Sequence, residues 1–334
     1  MSHYLITGGA GFIGSHYVSH LLSTQGDAEI TVLDLLTYAG DPAALPDDPR
    51  VRLVVGDVCD RELVARLCAD AEVVVHFAAE SHVDRSIASA DRVVRTNVLG
   101  TSTLLGGALR GGVEKFLHVS TDEVYGSIDT GSWTERDPVD PRSPYSASKA
   151  ASDLLALAHH RTHGLPVCVT RCSNNYGPRQ FPEKVIPLFV TRLLNGLEVP
   201  LYGDGGHVRD WLHVEDHCRA LDVALEHGVP GEVYNVGGGT SLTNLELTGL
   251  LIDAVGAEPG LIRRVADRPG HDRRYAVDDS RLRARGYRPT VSLDDGLAQT
   301  LRWYRDHHNW WERRCPTDIP VGAPRSTTYL EVAR

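Results

Sequence analysis

Three stretches of the chain hold side chains whose types and spacing could do chemistry. The first is Tyr145-Ser146-Ala147-Ser148-Lys149. A Tyr and a Lys four positions apart share one face of a helix, and an ammonium near a phenol lowers the phenol pKa. At an effective dielectric near 20, a charge about 5 Å away is worth roughly 3 kcal/mol, or about two pKa units, which moves a tyrosine from about 10 toward the range of a general base. The second is Ser120-Thr121-Asp122-Glu123-Val124-Tyr125-Gly126. Its adjacent carboxyls could serve one as acid and one as base. On pattern alone it reads more simply as helix capping by Thr121 or Asp122, with Glu123 as a first-turn acid. The third is Gly8-Gly9-Ala10-Gly11-Phe12-Ile13-Gly14, which satisfies G-x-x-G-x-x-G and G-x-G-x-x-G. Such glycines permit a tight turn, let a pyrophosphate approach the backbone and allow close helix–strand packing.

These groups need a scaffold, and the hydrophobic pattern supplies one. Strand-like runs at His3–Thr7, Glu29–Asp34, Val51–Gly56, Glu72–Phe77, Lys115–Ser120 and Pro166–Arg171 alternate with helical stretches. The helices expected are the stretch after Gly14 through Leu22, then Arg61–Cys68, Arg92–Leu109 and Ser146–His163. That alternation means right-handed βαβ units: an α/β fold, with a Rossmann-like doubly wound parallel sheet. After Arg171 it loosens, with Pro178, Pro182, Pro187 and Pro200 breaking the segment. A strand at Glu232–Val236 and helices at Asn244–Ala254 and Leu293–His307 then return. The expected division is a dinucleotide-binding domain at 1–177, rejoined by 212–239, and a smaller mixed C-terminal lobe at 178–211 and 240–314. Residues 315–334 would be an extended tail.

Within this frame the glycine cluster sits between a strand and a helix, and Asp34 ends the next strand. An acidic side chain there accepts hydrogen bonds from the adenosine ribose and repels a 2′-phosphate, so NAD is expected over NADP. Asp57 could reach the adenine edge or equally cap the following helix. An oxidised nicotinamide would place a second positive charge near Tyr145. Ligands of open parallel sheets bind beyond the carboxyl ends of the strands, so the Ser120–Gly126 side chains should face the cofactor cleft.

Composition excludes several other classes. Lys plus Arg is 34 and Asp plus Glu 44, a formal charge of −10, which makes general nucleic-acid or anionic-membrane binding unexpected. No apolar run approaches the 18 or so residues of a membrane span, and the first residues lack the layout of a signal peptide. The cysteines Cys59, Cys68, Cys168, Cys172, Cys218 and Cys315 form no C-x-x-C pair and read as reduced, cytoplasmic thiols. His82, His213, His217 and His271 have no metal-ligand spacing, and no metal is expected. Only Lys115, Lys149 and Lys184 are lysines, which makes each of them worth a question.

Seven segments together carry a family resemblance. They are TGGAGFIGSH at the start, HFAAESHVDRS at 76–86, STDEVYG at 120–126, YSASK at 145–149, RCSNNYGP at 171–178, VRDWLHVEDH at 208–217 and RPGHDRRYAVD at 268–278. The chain resembles the extended short-chain dehydrogenase/reductase superfamily and, within it, the dTDP-glucose 4,6-dehydratases, in order over about residues 1–310. Sugar-nucleotide epimerases of the superfamily usually carry small hydroxyl or apolar residues at the Asp122–Glu123 pair. The resemblance therefore turns that pair from caps into catalysts. It implies that Tyr145 takes the C4 hydroxyl proton while hydride goes to NAD. Lys149 would hold the nicotinamide ribose and tune Tyr145, and Thr121 would hydrogen-bond near the C4 oxygen. Glu123 would remove the C5 hydrogen, Asp122 would protonate the departing C6 hydroxyl, and hydride would return to C6.

The resemblance also implies the binding residues. Around the cofactor these are Gly8, Gly11, Phe12, Ile13 and Gly14, then Asp34, Leu35, Thr37, Asp57 and Val58. Phe77, Ala78, Ala79, Ser81, Thr96 and Asn175 complete the set with Tyr145 and Lys149. Around dTDP-glucose they are Ser81, Asn174, Lys184 and Val185 beside the catalytic carboxyls, then Pro200, Leu201, Tyr202, Arg209 and Asn244. Asp267, Arg268, Pro269, Gly270 and His271 follow. Arg209, Arg268 and Lys184 suit a diphosphate, and Leu201 or Tyr202 an apolar wall for thymine. Taken without the family, Arg209 beside Asp210 reads as an ion pair and Tyr202 as core. A homodimer through Arg92–Leu109 and Ser146–His163 is the implied assembly.

Overall fold

The computed structural model describes residues 2–314; the tail expected at 315–334, with Cys315, lies outside the described residues. In chain order the strands are β1 (His3–Thr7), β2 (Glu29–Asp34), β3 (Val51–Val55), β4 (Val73–His76), β5 (Lys115–Thr121) and β6 (Val167–Cys172). They continue as β7 (Asn174–Tyr176), β8 (Val199–Tyr202), β9 (Val208–His213), β10 (Val233–Val236), β11 (Ser241–Thr243) and β12 (Ile262–Val265). Seven of them form one parallel sheet in the order β10-β6-β5-β4-β1-β2-β3. The order reverses at β1, which opens a crevice beyond the carboxyl ends of β1 and β4.

Both faces of the sheet are covered, so the strands read as nearly continuous apolar runs. One face packs Ile6, Val32 and Val75 against the helices Phe12–Thr24 and Val214–His227. The other packs Leu5, Val74, Phe116 and Val169 against the helices Arg61–Ala69, Thr101–Gly111 and Pro144–His163. On that second face the apolar rows give way, toward the carboxyl ends, to Thr7, His76, His118 and Arg171, all buried. A three-stranded sheet β11-β9-β7 and the pair β12-β8 build the smaller lobe. Its core gathers Tyr176, Phe189, Trp211, Leu251, Tyr304 and Trp311.

Three features depart from the sequence pattern. The single helix expected over Arg92–Leu109 is Asp91–Val93, a π-helical stretch Val94–Gly100, and then Thr101–Gly111. The wider turn carries Thr96 and Asn97, in keeping with the use of such turns at functional sites. Pro187 is not a break. It is the third residue of the helix Val185–Leu194, where its missing N–H is one that no helix satisfies internally. The helix Val214–His227 was also unexpected, since its Glu, Asp, His and Arg dilute the apolar stripe.

The chain's last described turn is anchored far from its neighbours in sequence. Following the helix His308–Glu312, Arg314 Nη2 donates to Asp41 Oδ2 at 2.8 Å, and Trp310 Nε1 donates to the same oxygen at 2.8 Å. The Asp41 amide donates to the Ala10 carbonyl at 2.9 Å, and Arg179 donates to the Ala44 carbonyl at 2.8 Å. The loop after β2 is thus tied down from three directions. Among the described residues no helix is long and apolar enough to cross a membrane.

Candidate active site

The crevice at the switch point is a cleft whose walls include all of the residues expected around a dinucleotide. The glycines each meet a different demand. Gly8 has φ +70°, and a Cβ there would lie 2.6 Å from the Ala78 amide nitrogen. A Cβ on Gly14 would lie 2.3 Å from the Gly8 carbonyl oxygen. Gly11 has an extended backbone that any residue adopts and lines the cleft, and a Cβ there would lie 3.2 Å from the Gly8 carbonyl oxygen, a smaller intrusion than at Gly8 or Gly14. It precedes the helix Phe12–Thr24, which has no side-chain cap and no first-turn acid, so its leading N–H groups are available to an anion. Gly11→Ala is therefore expected to fold with near-normal melting and lose dinucleotide affinity at least tenfold. Gly14→Ala is expected to destabilise the whole domain. Calorimetric melting and cofactor titration of the two variants check this split.

Asp34 is held for use. Its Oδ2 accepts from the Ala10 amide at 3.0 Å and its Oδ1 from the Leu36 amide at 2.8 Å, at the cleft edge. Burial raises its pKa, and the two amides pull it back. Asp57 is not the cap of the following helix. Asp60 is, accepting from Glu62 and Leu63 at 3.0 Å each, while Asp57 accepts from the Cys59 amide and from Arg95.

Tyr145 and Lys149 lie one turn apart on Pro144–His163, both buried, with Ser143 and Ser146 forming a capping box at its start. Lys149 Nζ donates to the Val119 carbonyl at 2.8 Å. Here one expectation needs correction. The protein alone does not lower the Tyr145 pKa. Burial raises it well above the ordinary value, and Glu123, Cys172 and Asp122 add to the rise; the Thr121 hydroxyl works the other way. Burial outweighs the ammonium because a phenolate loses its water entirely at this depth.

At the end of β5 the capping and catalytic readings separate. Thr121 Oγ1 does cap, accepting from the Glu123 amide at 3.2 Å. Asp122 does not: it is 2% exposed, its Oδ1 lies 3.4 Å from the Thr121 hydroxyl, and its Oδ2 has no partner. Burial, then Glu123 and Asp210, push the Asp122 carboxyl well above the ordinary range. Glu123 is raised by burial too, but Arg268, Lys184 and Arg209 pull it down. Burial thus raises both carboxyls, Asp122 the further of the two because more cations face Glu123, which suits an acid beside a base.

The expected substrate residues are only partly gathered. Ser81, Asn174 and Lys184 line the cleft with the carboxyls, and Lys184 Nζ donates to the Ser81 carbonyl at 2.7 Å. Val185 begins the helix after Lys184. Arg209 is no partner of Asp210. It lies over the Tyr275 ring at 4.2 Å and donates to the Asp272 carbonyl, whereas Asp210 accepts from Ser173, Gly238 and Thr240. Leu201 is corrected as an apolar wall: it is 1% exposed and turned inward beneath Gly205, while its β8 neighbour Tyr202 is half-buried and meets His271 edge-on. Pro200, on the same side of β8 as Tyr202, is likewise half-buried, and the Asn244 amide donates to the His207 carbonyl at 2.8 Å. Asp267 joins His271 at 2.6 Å and His207 at 3.1 Å, the two imidazoles stacking at 3.7 Å. Burial, then Arg268, lower His271 to about 3. Pro269 and Gly270 stand exposed on the rim beyond Arg268.

Several wall residues were not singled out: Cys172, the last residue of β6, and Gln180, Phe181 and Glu183. The last three carry no motif of their own and arrive through the loop after β7. The five described cysteines are all free. His217 was expected only as a non-ligand, yet its Nδ1 hydrogen-bonds Asn175 Oδ1 at 2.9 Å and so fixes a cleft residue. Burial lowers His217 to about 3. The unfolded chain binds a proton below about pH 6.5 that the folded one refuses. Stability supplied by neutral His217 is thus whole above that pH and lost as pH falls toward 3. Near pH 4.5 the loss is roughly 2–3 kcal/mol. Denaturant melts from pH 7 to 4.5 should show it, with a shallower slope in His217→Gln.

With this geometry in view, the comparisons with known proteins are specific. The family described as GDP-mannose 4,6 dehydratase matches residues 5–300, and the chain belongs to that family. A dTDP-glucose 4,6-dehydratase of Streptomyces antibioticus is 60% identical over 97% of this chain and 98% of its own length. The crystal structure of DesIV, a dTDP-glucose 4,6-dehydratase from Streptomyces venezuelae with NAD bound, superposes with TM-score 0.92 at 57% identity, covering 94% of this chain and all of that one. Within the family the chain therefore stands among the dTDP-glucose 4,6-dehydratases. A Thermus thermophilus UDP-glucose 4-epimerase complexed with NAD also superposes, at TM-score 0.86 and 35% identity over 91% of this chain and 99% of its own. The backbone alone does not separate the two chemistries.

Proposed function

We propose that this protein is a dTDP-glucose 4,6-dehydratase, an NAD-dependent hydro-lyase that converts dTDP-D-glucose to dTDP-4-keto-6-deoxy-D-glucose and water in deoxysugar biosynthesis. The observation that carries the reading is the contrast between Asp122, unpartnered and pushed toward its neutral form, and Glu123, faced by three cations. An epimerase has no use for such a pair.

The residues fit NAD: the bare helix N-terminus after Gly11 suits the pyrophosphate, and Asp34 suits an unphosphorylated ribose. When bound, NAD supplies the hydride acceptor for C4 and the hydride donor for C6. Tyr145 accepts the C4 hydroxyl proton, with the Thr121 hydroxyl beside it. Lys149 supplies positive charge beneath the site and holds the nicotinamide ribose. The C4 ketone acidifies C5–H, and Glu123 takes that proton. Asp122 gives its proton to the departing C6 oxygen, which leaves as water. A proton then returns to C5, and no net redox change remains. Arg209, Arg268 and Lys184 bind the diphosphate, and Tyr202 offers the nucleobase an apolar face.

Residues 1–177 with 212–239 form the cofactor domain in this reading, and 178–211 with 240–314 the sugar-nucleotide lobe. The exposed Val94, Leu99 and Leu154 on the helices around the π-turn support a homodimer through that face. A cytoplasmic location fits the free thiols. The deciding experiment is to incubate the pure protein with dTDP-, UDP- and GDP-glucose and identify products by mass and NMR. Loss of one water from dTDP-glucose supports the reading; a galactose nucleotide sinks it. The protein is also expected to purify with NAD bound and to turn over without added cofactor. A preference for NADP on titration would contradict the role of Asp34.

A further inference from the structure

Beneath the catalytic helix lies a buried charged layer that the reaction scheme does not use. Asp153 is one turn beyond Lys149 on Pro144–His163 and is fully buried. Its Oδ2 accepts from Arg171 Nε of β6 at 2.8 Å, and its Oδ1 lies 3.2 Å from His118 Nε2 of β5. The layer also holds His76 of β4, bonded to Thr7 at 2.6 Å and Thr101 at 2.9 Å, with its ring 5.4 Å from that of His118. The Arg171 guanidinium lies over the ring of Tyr125, in the turn after β5, at 4.7 Å, and Cys172 of β6, whose thiol donates to the Ser120 carbonyl at 3.3 Å, also bears electrostatically on Lys149. Ser152, next in the chain, bonds the Asn97 carbonyl and adds no charge.

The count of charges is what matters. Lys149 and Arg171 are two cations shut away from water, and both imidazoles are held neutral by burial. A guanidinium does not give up its proton, but a buried ammonium does so readily. With no negative charge in the layer, the proton lost would be that of Lys149. We propose that Asp153 is a positioning residue for the reaction, a buried counter-charge, paired with Arg171 and one helical turn from Lys149, that keeps Lys149 protonated. Burial lowers the proton affinity of Lys149, and Asp153 is the foremost influence raising it. Asp153 itself stays ionised: burial raises it, but nearby His118 and Arg171 more than offset the rise.

This inference rests on the role given to Lys149 in the proposed function. The chain offers an unusually direct test because it has three lysines, Lys115, Lys149 and Lys184. Lysine labelled with 13C at the ε-carbon gives three signals, assigned by Lys→Arg variants. Their titration in NAD-loaded protein reads Lys149 without any turnover. Asp153→Asn is expected to move the Lys149 midpoint down by about one to two pH units. Arg171→Gln, which removes the rival cation, is expected to move it up. In single turnovers with dTDP-glucose, the alkaline limb of hydride transfer should follow in the same directions, and Asp153→Glu should restore much of the wild-type profile. A Lys149 midpoint unchanged in both variants, with only melting lowered, overturns the proposal and leaves Asp153 a structural ion pair. Should Asp153→Asn not fold, Arg171→Gln alone still decides by the direction of its shift. Failure of the functional reading looks different: wild-type protein would show no hydride transfer with any sugar nucleotide, whatever the titrations give.

Discussion

Asp122→Asn is expected to leave C4 oxidation intact and to slow elimination by about 10²–10⁴, the usual worth of general acid catalysis. Tyr145 and Lys149 are untouched by the change, so reduced nicotinamide absorbance should rise on adding dTDP-glucose and persist, with a 4-keto-glucose nucleotide accumulating. Glu123→Gln should stall at the same stage and should also suppress exchange of the C5 hydrogen with solvent deuterium. The competing explanation, a capping role, makes its own forecast: near-normal turnover and a stability loss of about 0.5–2 kcal/mol. The geometry places the capping contact on Thr121, whose hydroxyl accepts from the Glu123 amide, and not on Asp122, whose Oδ2 caps nothing. Following absorbance and C5 exchange in one sample tells a stall from mild destabilisation.

Tyr145→Phe should act earlier. With no group to accept the C4 hydroxyl proton, hydride transfer should fall by at least about 10² and reduced nicotinamide absorbance should not appear. The pH dependence has a definite sign. Burial and the neighbouring carboxyls raise the phenol, so hydride transfer in the wild type should climb as pH rises through its working range. Positive charge from bound NAD and Lys149 must bring the phenol within reach. Rapid mixing with dTDP-glucose at a series of pH values measures this. A normal absorbance burst in Tyr145→Phe would mean that the C4 base is another residue.

The sheet and the cofactor cleft were legible because their signals are local. Gly8, Gly11, Gly14 and Asp34 sit at fixed offsets from β1 and β2, and alternation of apolar runs sets the parallel order. The carboxyl pair was legible only through the family, since its residues resemble an ordinary helix cap. What escaped depends on contacts distant in sequence. Arg209 beside Asp210 looks like a pair, yet successive strand residues point to opposite faces and their partners lie elsewhere. Leu201 and Tyr202 divide between interior and rim for the same reason. Asp153 has no motif at all: its place among His118 and Arg171 follows from β5 and β6 being neighbours. The π-turn at Val94–Gly100 hides inside an unbroken helical pattern, because one wider turn changes the residue period too little to read.

The anchoring of Asp41 by Trp310 and Arg314 bears on how the enzyme would wear. Ala39 and Gly40, just before Asp41, form part of the wall around the dinucleotide, which has to survive two half-reactions without escaping. Its residence time is therefore expected to depend in part on an indole and a guanidinium that never meet it. Changes near Trp310, whether natural drift or a laboratory replacement, should surface as gradual inactivation during long assays that fresh NAD reverses, while the initial rate stays unremarkable.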